Sequence, residues 1–437
     1  MVNLDLSKIK KVHFVGIGGI GVSAIARLML ENGKEVTGSD RSASIVTDAL
    51  VKLGAKINIG HSADNLSSDV DILVYTIAID IENPEFVKAK NLGIKLLSYP
   101  EILGLISKDK YTISISGTHG KTTTTAMIGK ILIDSEMDPT IIVGSLMKGP
   151  MSNLVLGKSD YFVVESCEYR RSFLNLSPRI IIITNIDNDH LDYYKDIEDI
   201  KSAFEEFASK LGKNDYLVCN LNDERLQSIA ENIDCIVVDY SKNELADKLK
   251  LKVVGKYNIE NAKAALTVAE ILNVDIEKAK KSLESFSGTW RRFEYKGELE
   301  TGAMVYDDYA HHPTEIRATL EGARNFFKDK KIVVAFQPHL YSRTKLLLDD
   351  FAKSFGDVDH VVLADIYAAR EPKDESINSG MLADKINEIS GKDKAFVAGG
   401  IKEVEEFLRK NAKDFDVIIT MGAGDISLVS DRLVGGK

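Results

Sequence analysis

Gly117-Thr118-His119-Gly120-Lys121-Thr122 have the types and order of a phosphate-binding loop. They follow the apolar run YTISIS (111–116) and lead through Thr123 into the helix-forming stretch AMIGKILIDSE. Glycines let a backbone wrap closely around phosphate oxygens, and the N–H groups opening a helix point at the anion. Lys121 would supply a compact positive charge to the outer phosphates, and the Thr122 hydroxyl can ligate Mg²⁺. Gly117, Thr118, His119, Gly120, Lys121, Thr122 and Thr123 are therefore the expected ATP contacts. A Gly-Lys-Thr turn could also cap a helix and bind nothing, but a strand before and a helix after favour the nucleotide reading. The loop is short, with two residues between its glycines.

A second glycine cluster, Gly16, Gly18, Gly19 and Gly21, follows KVHFV and opens VSAIARLMLEN, which closes at Gly33. The run EVTGS then ends at Asp40, in the place that reads a ribose hydroxyl in dinucleotide-binding folds. NAD is one reading; a nucleotide-linked substrate whose pyrophosphate uses the same helix terminus is the other. The ATP loop elsewhere favours the second. In the central stretch Glu165 and Glu168 end YFVVE, while Asn185, Asp189 and His190 follow IIIIT. Mg²⁺ prefers hard oxygen ligands at such strand ends. Spacing alone leaves His190 open between a metal ligand, a helix cap and a substrate contact.

The elements that must position these groups read as α/β throughout. Strands are expected at 12–16, 71–76, 111–116, 160–165, 179–184, 331–336, 359–365 and 416–421. Most are continuous apolar runs, the pattern of strands covered on both faces. Many end in Gly, Asn, Gln, Asp or Glu, where open α/β sheets bind ligands. Breaks near 98–110 and 295–297 divide the chain into 1–109, 110–296 and 297–437: two Rossmann-like domains flanking a central ATPase-type sheet that is mostly parallel. A helical segment is expected over 258–284. The lysine- and glutamate-rich stretches 241–252 and 401–414 read as solvated faces.

At 437 residues with a net charge of −10, the chain is too long for one ordinary core and too acidic for a typical nucleic-acid binder. Three cysteines without CxxC spacing read as reduced thiols. No apolar run approaches a membrane span, and no signal-type segment opens the chain. The expected location is cytoplasmic.

Taken together the motifs resemble the Mur ligase family over nearly the whole chain. The resemblance rests on HFVGIGGIGVSAIA (13–26), GTHGKTTTTAM (117–127), ESCEYRRSFL (165–174), TNIDNDHLDYY (184–194), NIENAKAAL (258–266), WRRFE (290–294), DDYAHHPTEIRATL (307–320), FQPHLYSR (336–343), DIYAAREP (365–372) and MGAGD (421–425). It implies a UDP-sugar domain, a central ATPase domain and a C-terminal domain that closes over the site. It further implies ATP- and Mg²⁺-dependent ligation of L-alanine to the lactyl carboxylate of UDP-N-acetylmuramate through an acyl phosphate, in peptidoglycan precursor synthesis.

Gly16, Gly18, Gly19, Gly21, Ser39 and Asp40 then match the UDP-sugar set, Lys121 and Thr122 the phosphate and Mg²⁺ contacts, and Glu168 and His190 further metal ligands. Asn258 and Asn261 resemble adenine-side contacts, Arg291 or Arg292 a phosphate-reaching arginine, and Asp308 a ribose contact. His311, His339 and Arg343 resemble substrate-positioning residues, with a histidine as the candidate proton acceptor for the amine. Partners are the small molecules UDP-N-acetylmuramate, L-alanine and ATP, with no nucleic acid or membrane, and the chain is expected as a monomer or homodimer. Departures are Tyr257 in place of a His, Leu340 in place of an Arg, and a short 240–255 stretch. A sister ligase that attaches a peptide, or a non-catalytic nucleotide sensor, are the rival readings.

Overall fold

The computed structural model describes residues 4–147, 152–191, 193–369 and 371–435. Three sheets organise them. The first contains β1 (Lys11–Val15), β2 (Glu35–Asp40), β3 (Lys56–Ile59), β4 (Ile72–Tyr75) and β5 (Lys95–Ser98), in the order β3-β2-β1-β4-β5, all parallel. The order reverses at β1, so the crevice at its carboxyl end is the expected ligand position.

The second sheet holds β6 (Tyr111–Ser116), β7 (Thr140–Met147), β8 (Ser152–Val155), β9 (Tyr161–Glu165), β10 (Ile180–Ile183), β11 (Tyr216–Cys219) and β12 (Ile236–Asp239). Their order is β12-β11-β10-β6-β9-β7-β8, and only the β7–β8 pair is antiparallel. Ile180–Ile183 are wholly buried, as a strand covered on both faces requires. The third sheet holds β13 (Glu294–Glu298), β14 (Met304–Asp308), β15 (Ile332–Phe336), β16 (His360–Ala364), β17 (Ala395–Gly399) and β18 (Val417–Met421). It runs β13-β14-β18-β15-β16-β17, antiparallel only at β13–β14.

Contacts group the chain into two compact units. One comprises 1–187, 196–245 and 263–283; the other comprises 188–195, 246–262 and 284–437. The first therefore carries sheets one and two, the second the third sheet with two inserted segments. The expected 258–284 helix is two helices, Lys256–Ile271 and Ile276–Ser285. The 241–252 stretch carries only short 3-10 turns, whereas Ile401–Lys410 is an amphipathic helix burying Val404 and Leu408. Among the described residues no helix is long and apolar enough to cross a membrane.

Candidate functional site

In the first unit β6 runs directly into the loop and the helix Lys121–Asp134. Gly120 forms the N-cap in a left-handed conformation (φ 85°), with no side chain capping the helix. The loop is clamped from the end of β10. The Asn185 side chain accepts from the His119 N–H (2.9 Å) and donates to the His119 carbonyl (3.1 Å). The Asn185 carbonyl accepts from the Thr118 N–H (3.0 Å), and the Thr118 hydroxyl accepts from the Asp187 N–H (2.9 Å). His119 reaches Asp187 through its ring (3.1 Å). Asn185 thus fixes the loop's backbone, a role that its place after IIIIT did not disclose.

Lys121 folds back over this loop. Its ammonium donates to the carbonyls of Gly117 and Thr118 and pairs with Glu168 at 3.0 Å. Burial by itself would depress the ammonium, but the charges of Glu168, Cys167 and Glu165 win and hold it well above the usual lysine range. The Thr122 hydroxyl donates to Glu165 (3.0 Å), whose other oxygen accepts from the Gly144 N–H (2.6 Å). Thr122, Thr123 and Glu168 are all buried. One hydroxyl and two carboxylates beside a lysine form the all-oxygen donor set that Mg²⁺ prefers, so these residues fit the ion.

The N-terminal glycine turn is built on β1 and β2. The Ser39 carbonyl accepts from the N–H groups of Gly16 (2.9 Å) and Ile17 (3.0 Å), and the Asp40 carboxylate accepts from the Gly18 N–H (2.7 Å). A Cβ on Gly18 would lie 2.9 Å from that carboxylate, so only glycine permits this approach. Gly19 caps the helix Ile20–Glu31 without a side-chain hydrogen bond. Gly21 lies under the Tyr99 ring, where a Cβ would meet ring atoms at 2.6–3.0 Å. The Ser39 hydroxyl faces inward, donating to Glu85 (2.8 Å).

Between this turn and the phosphate-loop sheet lies a cavity of about 250 Å³, lined among others by Gly21, Tyr99, Gly144, Glu165, Cys167 and Phe173. Tyr99 carried no signal in the sequence, because it reads there as an ordinary residue before a proline.

The second unit gathers the remaining candidates. Asp189 pairs with Arg343 at 3.0 Å. Burial would raise its carboxyl, but His190, Arg343, His311 and His312 hold it far below the usual range. His190 follows with a positive φ of 54°, its N–H donating to the Asp189 carboxylate (2.7 Å). The His311 imidazole Nδ1 lies 3.0 Å from the Tyr309 carbonyl, and burial pushes its pKa down to about 4 with Arg343 adding to the effect. At neutral pH the ring is therefore uncharged. His311 and His339 rings meet edge to face at 5.9 Å, and His339 stacks on Tyr367 at 5.6 Å.

Asp308 is buried, which pushes its carboxyl up to about 6, and it accepts from the N–H groups of Ala310 and Phe293. Asn258 donates to the Val254 carbonyl (2.7 Å) and accepts from the Asn261 amide (3.1 Å). Tyr257 is half-buried, and burial raises its phenol. Leu340 is buried with φ 71° and begins the helix Tyr341–Leu346.

Arg291 is turned inward. It pairs with Asp307 at 2.8 Å and donates to the carbonyls of Gly422 (2.5 Å) and Gly424 (3.3 Å). It therefore ties β14 to the loop after β18, while Arg292 stays partly exposed near Glu315. Arg291→Ala strands the Asp307 carboxylate, whose side chain is 1% exposed. The third-sheet region should lose roughly 3–5 kcal/mol of stability, read by chemical denaturation. An unchanged unfolding midpoint would refute the tie.

Comparison with known proteins spans the same ground. Residues 11–111 match the description "Mur ligase family, catalytic domain", 115–269 "Mur ligase middle domain" and 291–424 "Mur ligase, glutamate ligase domain". The UDP-N-acetylmuramate–L-alanine ligase of Clostridium tetani is 43% identical over 452 residues, covering 98% of both chains. That of Caldanaerobacter subterraneus is 42% identical over 460 residues, covering 99% of both. Among solved structures, the UDP-N-acetylmuramate–alanine ligase of Thermotoga maritima superposes with a TM-score of 0.82 at 32% identity, covering 98% of each chain. A murein peptide ligase of Psychrobacter arcticus shares the fold at TM-score 0.73 and 22% identity. With three consecutive domain matches and relatives of this identity along its length, the chain belongs to the Mur ligase family.

Proposed function

We propose that this chain joins L-alanine to the lactyl carboxylate of UDP-N-acetylmuramate at the expense of ATP, in the cytoplasmic synthesis of peptidoglycan precursors. The observation that carries this reading is the end-to-end likeness, at 43% identity, to ligases of that name, together with an intact phosphate loop. A carboxylate resists nucleophiles because of its charge. Its oxygen attacks the γ-phosphate of ATP, releasing ADP and leaving an acyl phosphate. The alanine amine then attacks the acyl carbon, phosphate departs with the bonding electrons, and the amine's proton passes to a base.

Phosphoryl transfer is helped chiefly by positioning and charge neutralisation. In this reading Lys121 and the N–H groups after Gly120 hold the phosphates, and Asn258, Asn261 and Asp308 contact the nucleoside. Thr122, Glu165 and Glu168 would hold Mg²⁺, which supplies charge neutralisation at the phosphates when bound; His190 is a further candidate ligand. Gly16, Gly18, Gly19, Gly21 and Asp40 hold the UDP moiety, and the cavity between Gly21 and Glu165 takes the sugar. Arg343, oriented by Asp189, positions the amino acid, and a histidine, His339 or the uncharged His311, accepts the proton of its amine.

Phosphate release with ATP and UDP-N-acetylmuramate, screened over the twenty amino acids, tests the assignment. Release should depend on L-alanine, and UDP-N-acetylmuramate but not NAD should raise the melting temperature. Release driven by a peptide instead would replace this reading with the sister activity. No release with any substrate would leave only a nucleotide sensor.

A further inference from the structure

Behind the N-terminal glycine turn lies a buried carboxylate with an unusual number of donors. Glu85, in the first turn of the helix Pro84–Asn91, is fully buried. One of its oxygens is 2.7 Å from His13 Nε2 and accepts from the Ser39 hydroxyl at 2.8 Å. The other accepts from the Ser62 N–H (3.2 Å) and the Asn65 amide (3.1 Å), and lies 3.3 Å from His61 Nδ1. Burial would raise this carboxyl, but His13, Ser39 and Asn65 outweigh it and hold it ionised below the usual range.

The hydrogens of this network can be assigned. An ionised carboxylate only accepts, so His13 Nε2 carries a hydrogen, while its Nδ1 lies 2.8 Å from the Thr37 hydroxyl. Ser39 gives its one hydroxyl hydrogen to Glu85. Its 2.9 Å contact with His61 Nδ1 therefore needs a hydrogen on that nitrogen. In the neutral ring this leaves His61 Nε2 as a bare acceptor on the side away from the buried network. The His61 side chain is 29% exposed. It follows Gly60, whose N–H donates to the Asp40 carbonyl (2.7 Å), so it stands at the carboxyl edge of the sheet beside the strand end carrying Ser39 and Asp40.

We infer that His61 is a further recognition residue of the nucleotide site, its Nε2 accepting a hydrogen bond from an N–H or O–H group of the uridine moiety. Glu85 is the positioning residue that fixes its tautomer. The inference rests on the proposal that this sheet holds the UDP-sugar. Two donors share the required chemistry: the imide N–H of uracil, which cytosine lacks, and a ribose hydroxyl.

Calorimetric titration with UDP-N-acetylmuramate, UDP, CDP and 2′-deoxy-UDP tests it on the wild type, His61→Ala, Glu85→Gln and the double variant. His61→Ala should weaken UDP-N-acetylmuramate binding about ten-fold, the value of one well-formed hydrogen bond. In turnover it should raise the KM for that substrate while leaving kcat and the KM for ATP unchanged. The wild type's preference for UDP over CDP, or over 2′-deoxy-UDP, should vanish in the variant, and the one that vanishes identifies the donor. Glu85→Gln turns an amide N–H₂ toward donors, so it too should weaken binding, and adding His61→Ala to it should cost little more. A merely structural Glu85 would give additive effects. If the wild type binds UDP-N-acetylmuramate and His61→Ala binds it equally well, or keeps both preferences, the inference falls while the ligase reading stands. A wild type that binds no UDP ligand overturns both.

Discussion

Lys121→Ala should abolish alanine-dependent phosphate release, with kcat falling roughly 10³-fold or more, because the charge set against the transferring phosphates is gone. The lysine's hydrogen bonds go to Gly117, Thr118 and Glu168 and not, among the described residues, to the N-terminal glycine turn, so binding of UDP-N-acetylmuramate should stay within about three-fold of the wild type. The substitution has a second consequence. Glu168, 2% exposed in its side chain, pairs with Lys121 at 3.0 Å. Leaving a buried carboxylate without its cation costs roughly 3–5 kcal/mol, so the single variant should also be less stable. Lys121→Ala/Glu168→Gln removes the charge that the lysine balanced. It should regain stability but no activity, which separates a failure of chemistry from a failure of folding. A stable double variant with wild-type turnover would remove the loop from the reaction.

The phosphate loop was legible because its chemistry forces a local pattern: a strand, glycines, a lysine and a helix, all contiguous. The long apolar strands were legible for a similar reason, since burial on both faces demands runs such as IIII (180–183) and IVVAF (332–336). Short edge elements such as β3, β12 and β17 were not among the expected strands. They pair on one side only and expose part of their length, and their short stretches (KINI, IVVD and AFVAG) do not show which of the chain's many brief apolar runs become strands. The same limit hid Glu85 and His61. A glutamate in PEFVKAK reads as an exposed first-turn residue that suits the helix dipole, and only the packing of helix Pro84–Asn91 against His13 and Ser39 buries it. Arg291 is a related case. Two adjacent arginines look equally ready for a phosphate, and only the fold shows one of them spent on Asp307 and two carbonyls.

Gly117→Ala should be nearly as damaging as loss of Lys121, although it removes no functional group. Gly117 has φ 122°, a region that residues with a Cβ scarcely enter, and strain of this kind costs about 1–3 kcal/mol. The space is closed as well. An added Cβ would fall on the Thr184 hydroxyl and lie 2.9 and 3.0 Å from the backbone nitrogens of Thr184 and Asn185. A rotamer change can move the hydroxyl, but it cannot move the nitrogens, which belong to the segment leaving β10. The Thr184 N–H donates to the Ser116 carbonyl (3.0 Å), and Asn185 clamps Thr118 and His119. Relief must therefore open the clamp that shapes the phosphate loop. ATP affinity measured by titration should fall about 100-fold or more, the equivalent of some 3 kcal/mol, with UDP-N-acetylmuramate binding retained. Gly117→Ala/Thr184→Ala removes the hydroxyl clash but neither backbone contact, and should restore only a small part of the affinity. Full recovery in that double variant would mean that the side chain alone set the constraint, and that the backbone clamp does not hold the loop.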